Sequence, residues 1–186
     1  MTVETNEVCK FIVPSEQDSN ENVFTAVRRK IQDAAGKVCE TIIPINHEYY
    51  YGNGSAIAIC TLSSIDLLLE ISKTPHIMNK ILIVGRLLSE NRGIDAMIRF
   101  SIKNPDLRHI IVCGSDVKGH KSGQALLCLH KNGIDRHGRI LESTSPCPIL
   151  SSDIKEIELF RSHTLIHNLI GTKDIDKLGA SISNLT

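Results

Sequence analysis

From residue 56 onward, short apolar runs alternate with amphipathic stretches. Ala56–Thr61, Lys80–Gly85 and His109–Cys113 are too short for helices and nearly apolar throughout, the pattern of strands buried on both faces. Each is followed by apolar residues at helical spacing. The first such stretch starts at a capping Ser63 or Ser64 and runs to about Lys73, with Ile65, Leu68, Leu69 and Ile71 as its apolar face. The second covers Gly93–Lys103, is capped by Ser89, and carries Ile94, Met97, Ile98 and Ile102 on one stripe. Asn104-Pro105 ends it. The third covers Lys121–Lys131 and stops at Asn132-Gly133. Three strand–helix units in a row predict an α/β fold, with a mostly parallel sheet covered by helices on both faces.

The flanks are less regular. Residues 1–20 read as a mobile arm, and residues 21–40 hold a helix with Val23, Phe24, Val27 and Ile31 on one face and Gly36 as its stop. The α/β domain is placed at 41–178. It opens with a strand candidate at Thr41–Ile45, the tyrosines of His47–Tyr51 and a Gly52-Asn53-Gly54 turn. Later come a strand candidate at Arg139–Glu142, a turn at Pro146-Cys147-Pro148, a helix over Asp153–Arg161 and a strand over Thr164–Ile170. Residues 179–186 read as a frayed tail.

Right-handed crossovers would bring the loops Thr61–Ser64, Arg86–Asn91 and Gly114–His120 to one edge of the sheet, the edge where open α/β proteins bind ligands. His120 stands where the third loop becomes a helix. A helix N-terminus disfavours imidazolium and so leaves a lone pair for a metal, although a surface histidine at a helix start is the commoner use. Gly119 would let a planar ligand approach the backbone, and Gly123 would let the helix pack closely. Glu90 and Asn91 either cap the second helix or bind amides and hydroxyls of a ligand. Asp116 is a turn former or a partner that orients a histidine, with the turn favoured. His163 and His167 read as structural residues of a strand. No Gly-x-Gly-x-x-Gly loop or P-loop follows any strand.

Composition narrows the classes. Lys plus Arg number 21, as do Asp plus Glu, and there is no Trp. A near-zero net charge with few aromatics argues against nucleic-acid binding. The six cysteines show no Cys-x-x-Cys pair, which fits free thiols in a reducing cytoplasm better than a disulfide framework. No apolar run approaches a membrane span.

Several motifs together are similar to a known family. Cys113-Gly114-x-x-Val117-x-Gly119-His120-x-x-Gly123-Gln124, then Leu129-His130-x-Asn132-Gly133-Ile134-Asp135, resembles the corrinoid-carrying A subunit of tetrahydromethanopterin–coenzyme M methyltransferase. Ser89-Glu90-Asn91-Arg92-Gly93-Ile94 looks like that family's Thr-Glu-Asn-x-Gly-Ile, and Asn104-Pro105-Asp106-Leu107-Arg108 like its Asn-Pro-Asn-x-Arg. The resemblance covers about residues 41–178. It implies a Rossmann-like three-layer fold in an archaeal one-carbon protein holding cobalamin or a related cobamide, with His120 as the lower axial ligand of cobalt. It also implies cofactor contacts from Gly114, Ser115, Asp116, Val117, Gly119, Gly123 and Gln124, from Glu90 and Asn91, and from Thr61, Leu62 and Ser63. The implied activity is methyl transfer from a tetrahydropterin to a thiol, shared with partner methyltransferase subunits. Leu87-Leu88 stand where the family has Cys-Lys, and Lys118 stands where cobalamin fingerprints of the Asp-x-His-x-x-Gly type carry Asp. No counterpart of the family's C-terminal membrane anchor is read, so a stand-alone relative is expected. The second reading is a pterin- or nucleotide-related one-carbon enzyme domain without the corrinoid, and the third an interaction module.

Overall fold

The computed structural model describes residues 49–185. The arm, the 21–40 helix and the Thr41–Ile45 strand expected from the sequence lie outside them. The sheet contains β1 (Tyr49–Tyr51), β2 (Ile57–Cys60), β3 (Ile83–Gly85), β4 (His109–Gly114) and β5 (Leu165–Ile170), in the spatial order β1-β3-β2-β4-β5. The helices are α1 (Ile65–Ser72), α2 (Pro75–Met78), α3 (Arg92–Lys103), α4 (Ser122–Asn132), α5 (Ile154–His163) and α6 (Ile175–Ser183). β3, β2, β4 and β5 are parallel, and only β1 runs antiparallel, against β3. This is the Rossmann-like three-layer arrangement.

The strand periodicity explains the layers. Ala58 and Cys60 of β2, with Ile110 and Val112 of β4, face one side, where Ile94 and Ile98 of α3, Leu126 and Leu129 of α4, and Phe160 of α5 pack. Ile57, Ile59, Ile111 and Cys113 face the other, against Leu68 and Ile71 of α1, Ile77 of α2, and Leu178 and Ile182 of α6. β2 and β4 therefore bury both faces, which is why their sequences are continuous apolar runs. α1 and α3 lie on opposite faces, so the winding reverses between β2 and β4. The crevice outside the carboxyl ends of those two strands is the switch point where such sheets take ligands.

Three expectations are corrected. Arg139–Glu142 forms no strand. Only the isolated bridges Ile134–Ile140 and Arg139–Ile149 occur there, because Asp135 turns the chain by accepting from the His137 and Arg139 amides at 2.8 and 2.9 Å. The segment read as a frayed tail instead contains the second half of α6, capped by Asp174 and seated by Leu178 and Ile182, both fully buried. His163 and His167 also fall on different elements. His163 closes α5 against the Pro105 carbonyl at 2.7 Å, while His167 of β5 meets His109 at 3.1 Å.

Because α6 completes one face of the core, Leu178→Ala is expected to lower stability by about 2–4 kcal/mol in urea unfolding. A loss below about 1 kcal/mol would show the helix to be peripheral.

Candidate functional site

The three loops expected at the carboxyl edge are laced together there. Ser63 donates both its amide and its hydroxyl to the Ser115 carbonyl, at 3.1 and 2.7 Å, and the Ser115 amide donates to the Ser64 hydroxyl at 2.9 Å. Thr61 is buried and its amide meets the Gly85 carbonyl at 2.8 Å, which joins the β2 and β3 ends. Close approach requires Gly114. Its φ is +74°, and a Cβ there would stand 2.5 Å from the Thr61 carbonyl oxygen. Leu62 and Lys121 also hold positive φ, at 53° and 48°. Bulky residues in that region store strain that the surrounding contacts must offset. Leu62 does so with a fully buried side chain packed against Gly123, where a Cβ would lie 2.9 Å from it.

The helix after the third loop is capped from a distance. Lys121 at its N-cap offers no side-chain bond, and Asp116 supplies it instead, accepting from the amides of Val117, Gly123 and Gln124 at 2.7, 2.9 and 3.0 Å. Asp116 is thus the turn former that the sequence favoured, and it orients no histidine. Asn91 is likewise a cap, accepting from the Arg92 amide at 2.7 Å. Gly119, with φ +86°, turns the exposed end of the loop.

His120 is held by Glu90. Its Nδ1–H donates to Glu90 Oε2 at 2.8 Å, with the His120 side chain 46% exposed and that of Glu90 only 3%. The other oxygen, Oε1, accepts from the Cys147 amide at 3.1 Å. Both carboxylate oxygens are therefore engaged, and Nε2 of His120 is the ring nitrogen left for a ligand. A carboxylate on one imidazole nitrogen fixes the tautomer and raises the donor strength of the other, the arrangement behind most histidine–metal bonds. Among the described residues no group of three or more His, Cys, Asp or Glu is placed to hold a metal by itself.

Sequence reasoning did not anticipate the segment that closes this side. Gln124 accepts from the Thr144 amide at 3.2 Å, Lys121 reaches the Thr144 hydroxyl at 3.1 Å, and the Ser145 hydroxyl meets the Lys121 carbonyl at 3.1 Å. Farther along, the buried Asp95 carboxylate takes the amides and hydroxyls of both Ser151 and Ser152, with the hydroxyls at 2.7 Å. Burial opposes ionisation of Asp95, but these bonds outweigh it and hold its carboxyl below the usual range. Both ends of the stretch carrying Cys147 are thereby anchored. A cavity of about 250 Å³ opens on the opposite, α1 side of the edge, beside Ser63, Ser115 and Lys173. His120 does not line it. The buried thiols of Cys60 and Cys113 are pushed up to about 12 by desolvation and are inert.

A doubly wound sheet with polar loops gathered at its switch point, and an exposed imidazole oriented by a buried carboxylate, defines a Rossmann-like α/β domain. Comparison with known proteins makes this specific. The family model for the A subunit of tetrahydromethanopterin S-methyltransferase (MtrA) matches residues 37–186, and the chain belongs to that family. It is 36% identical over 141 residues to the A 1 subunit of tetrahydromethanopterin S-methyltransferase from Methanothermobacter thermautotrophicus, covering 74% of this chain and 57% of that relative. The corresponding protein of Methanothermobacter marburgensis gives the same identity and coverage. The A 2 subunit of M. thermautotrophicus is 38% identical over 102 residues, 54% of this chain and 56% of the relative. The chain thus spans little more than half the length of these relatives. Among the described residues no helix is long and apolar enough to cross a membrane.

The Asp95 clamp generates a pH prediction. With its folded pKa below the unfolded value, Asp95 contributes stability that is present above about pH 4 and is lost as pH falls through the folded pKa. Asp95→Asn is expected to cost about 1–3 kcal/mol at pH 7. That difference should shrink at pH 3, as read by denaturant unfolding at both pH values. An equal difference at both would refute the assignment.

Proposed function

We propose that this protein is a cobamide-binding methyl carrier of a methyltransferase system, with His120 Nε2 as the lower axial ligand of cobalt. The observation that carries the reading is the Glu90-oriented, half-exposed imidazole at the sheet's switch point. One protein ligand is what a metal already held in a macrocycle needs, and the site offers one. Bound there, a cobamide would supply the cobalt that accepts and gives up a methyl group.

The chain's own residues do the rest. Glu90 holds the Nδ1 proton and aims Nε2 outward. Gly119, exposed and without a side chain, would leave room for a flat ligand over the loop beside Ser115 and Val117, while the buried Gly114 sets the loop against Thr61. Gln124 and Asn91 flank it with amides that are partly committed to Thr144 and Arg92. Gly123 keeps α4 close to Leu62, and Asp116 fixes the start of that helix, so His120 projects from a rigid base. Thr61, Leu62 and Ser63 close the β2 side.

By this reading the methyl group passes from a tetrahydropterin to a thiol only with partner methyltransferase subunits, and the free thiols fit a reducing cytoplasm. Two variants test the ligand. With cobalamin added to purified protein, His120→Ala should abolish the visible spectrum of histidine ligation, and Glu90→Gln should weaken ligation roughly 10- to 100-fold. An unchanged spectrum in His120→Ala would exclude the axial role.

A further inference from the structure

The carboxyl edge holds a charged group that the reading above leaves unused. Arg86 directly follows β3, and its guanidinium reaches the loop after β2, where Nη2 donates to the Ser63 carbonyl at a long 3.4 Å. Its Nε and Nη1 are shielded from solvent and have no hydrogen-bond partner. The ion pairs among the described residues are His120–Glu90 and Arg161–Glu158, so no carboxylate there compensates Arg86. Shielded donors on a permanent cation are costly when neither water nor an acceptor reaches them. An oxyanion met by this guanidinium when the side chain turns outward would remove that cost, because its oxygens match the planar N–H array.

Position narrows the choice of oxyanion. Arg86 and Glu90 are the two ends of one short loop, and Glu90 carries His120. Ser63, which Arg86 touches, is itself bonded to Ser115 of the His120 loop. Lys173, on the loop after β5, lines a cavity together with Asp66 and Glu70, which place acids around it. Arg86 forms no ion pair with a described carboxylate and shares its loop with the residue that aims His120. In a complete cobamide the amide arms are neutral, and the one anionic group outside the ring system is the phosphodiester of the nucleotide arm.

We propose that Arg86 is an oxyanion-binding residue that takes the phosphate of a complete cobamide. The proposal rests on the cobamide reading, and its test separates the two. Dissociation constants are measured by visible absorption for cobalamin and for cobinamide, which has the same ring without the phosphate-bearing nucleotide arm. Arg86→Gln is expected to weaken cobalamin roughly 10- to 100-fold and leave cobinamide unchanged. Arg86→Lys, which keeps the charge without the planar array, should fall between. Equal effects of Arg86→Gln on both corrinoids, or none on either, would overturn the proposal. If the wild-type protein binds neither corrinoid, the cobamide reading fails and the arginine is tested alone. Inorganic phosphate is then titrated while the Arg86 Nε–H resonance is followed by ¹⁵N–¹H correlation. A saturable shift would keep Arg86 as a phosphate-binding residue served by a free source, and no shift would remove the assignment.

Discussion

A carboxylate taken out of water must have its oxygens engaged, and Glu90 meets that requirement with groups from two distant parts of the chain. One oxygen takes the His120 ring and the other the Cys147 amide, which ties the loop after β3 to the loop after β4 and to the long segment between α4 and α5. Remove the carboxylate and neither contact has a replacement among the described partners. Asp95 repeats the device a turn into α3, where it fastens Ser151 and Ser152. Two acids close together in sequence thus organise a stretch that forms no regular strand.

The second constraint is the parallel sheet. Its four parallel strands all end on one edge, so every loop that follows them must find partners there. The serines at 63, 64 and 115 satisfy one another's backbone groups across neighbouring loops, and Ser122 adds a bond from α4 to the Leu87 carbonyl at 2.7 Å. Positive φ at Leu62 and Lys121 stores strain in the same place, held by burial in one case and by the remote Asp116 cap in the other. The outcome is a shelf of interbonded loops that carries the half-exposed imidazole of His120. The chain that builds this shelf belongs to the family of the methyltransferase A subunit.

Much of this was legible in the residues. The apolar runs at 56–61, 80–85 and 109–113 became β2, β3 and β4 because their alternate positions face two different helix layers. The stop at Asn104-Pro105 read correctly because it is local hydrogen-bond chemistry, whereas the cap of that helix is Asn91 and the expected Ser89 adds an acceptor for the Gly93 amide. The misreadings also have physical causes. Arg139–Glu142 has strand-like composition, yet no neighbouring strand lies in register with it. The 179–183 residues are small and polar enough to look loose, but Ile182, four positions after Leu178, reaches the core.

Sequence alone determined the elements that depend on neighbours within a few residues: strand runs buried on both sides, helix periodicity, caps and glycine turns. It also carried the motif around His120. Only the tertiary structure decided which acid serves that histidine, because Glu90 and His120 are thirty residues apart and Cys147 lies farther still. The reason is the winding of the sheet: the crossover over β2 brings loops together that no local rule relates, and pairing of a buried charge is settled by what stands across the gap, not by what stands beside it in the chain.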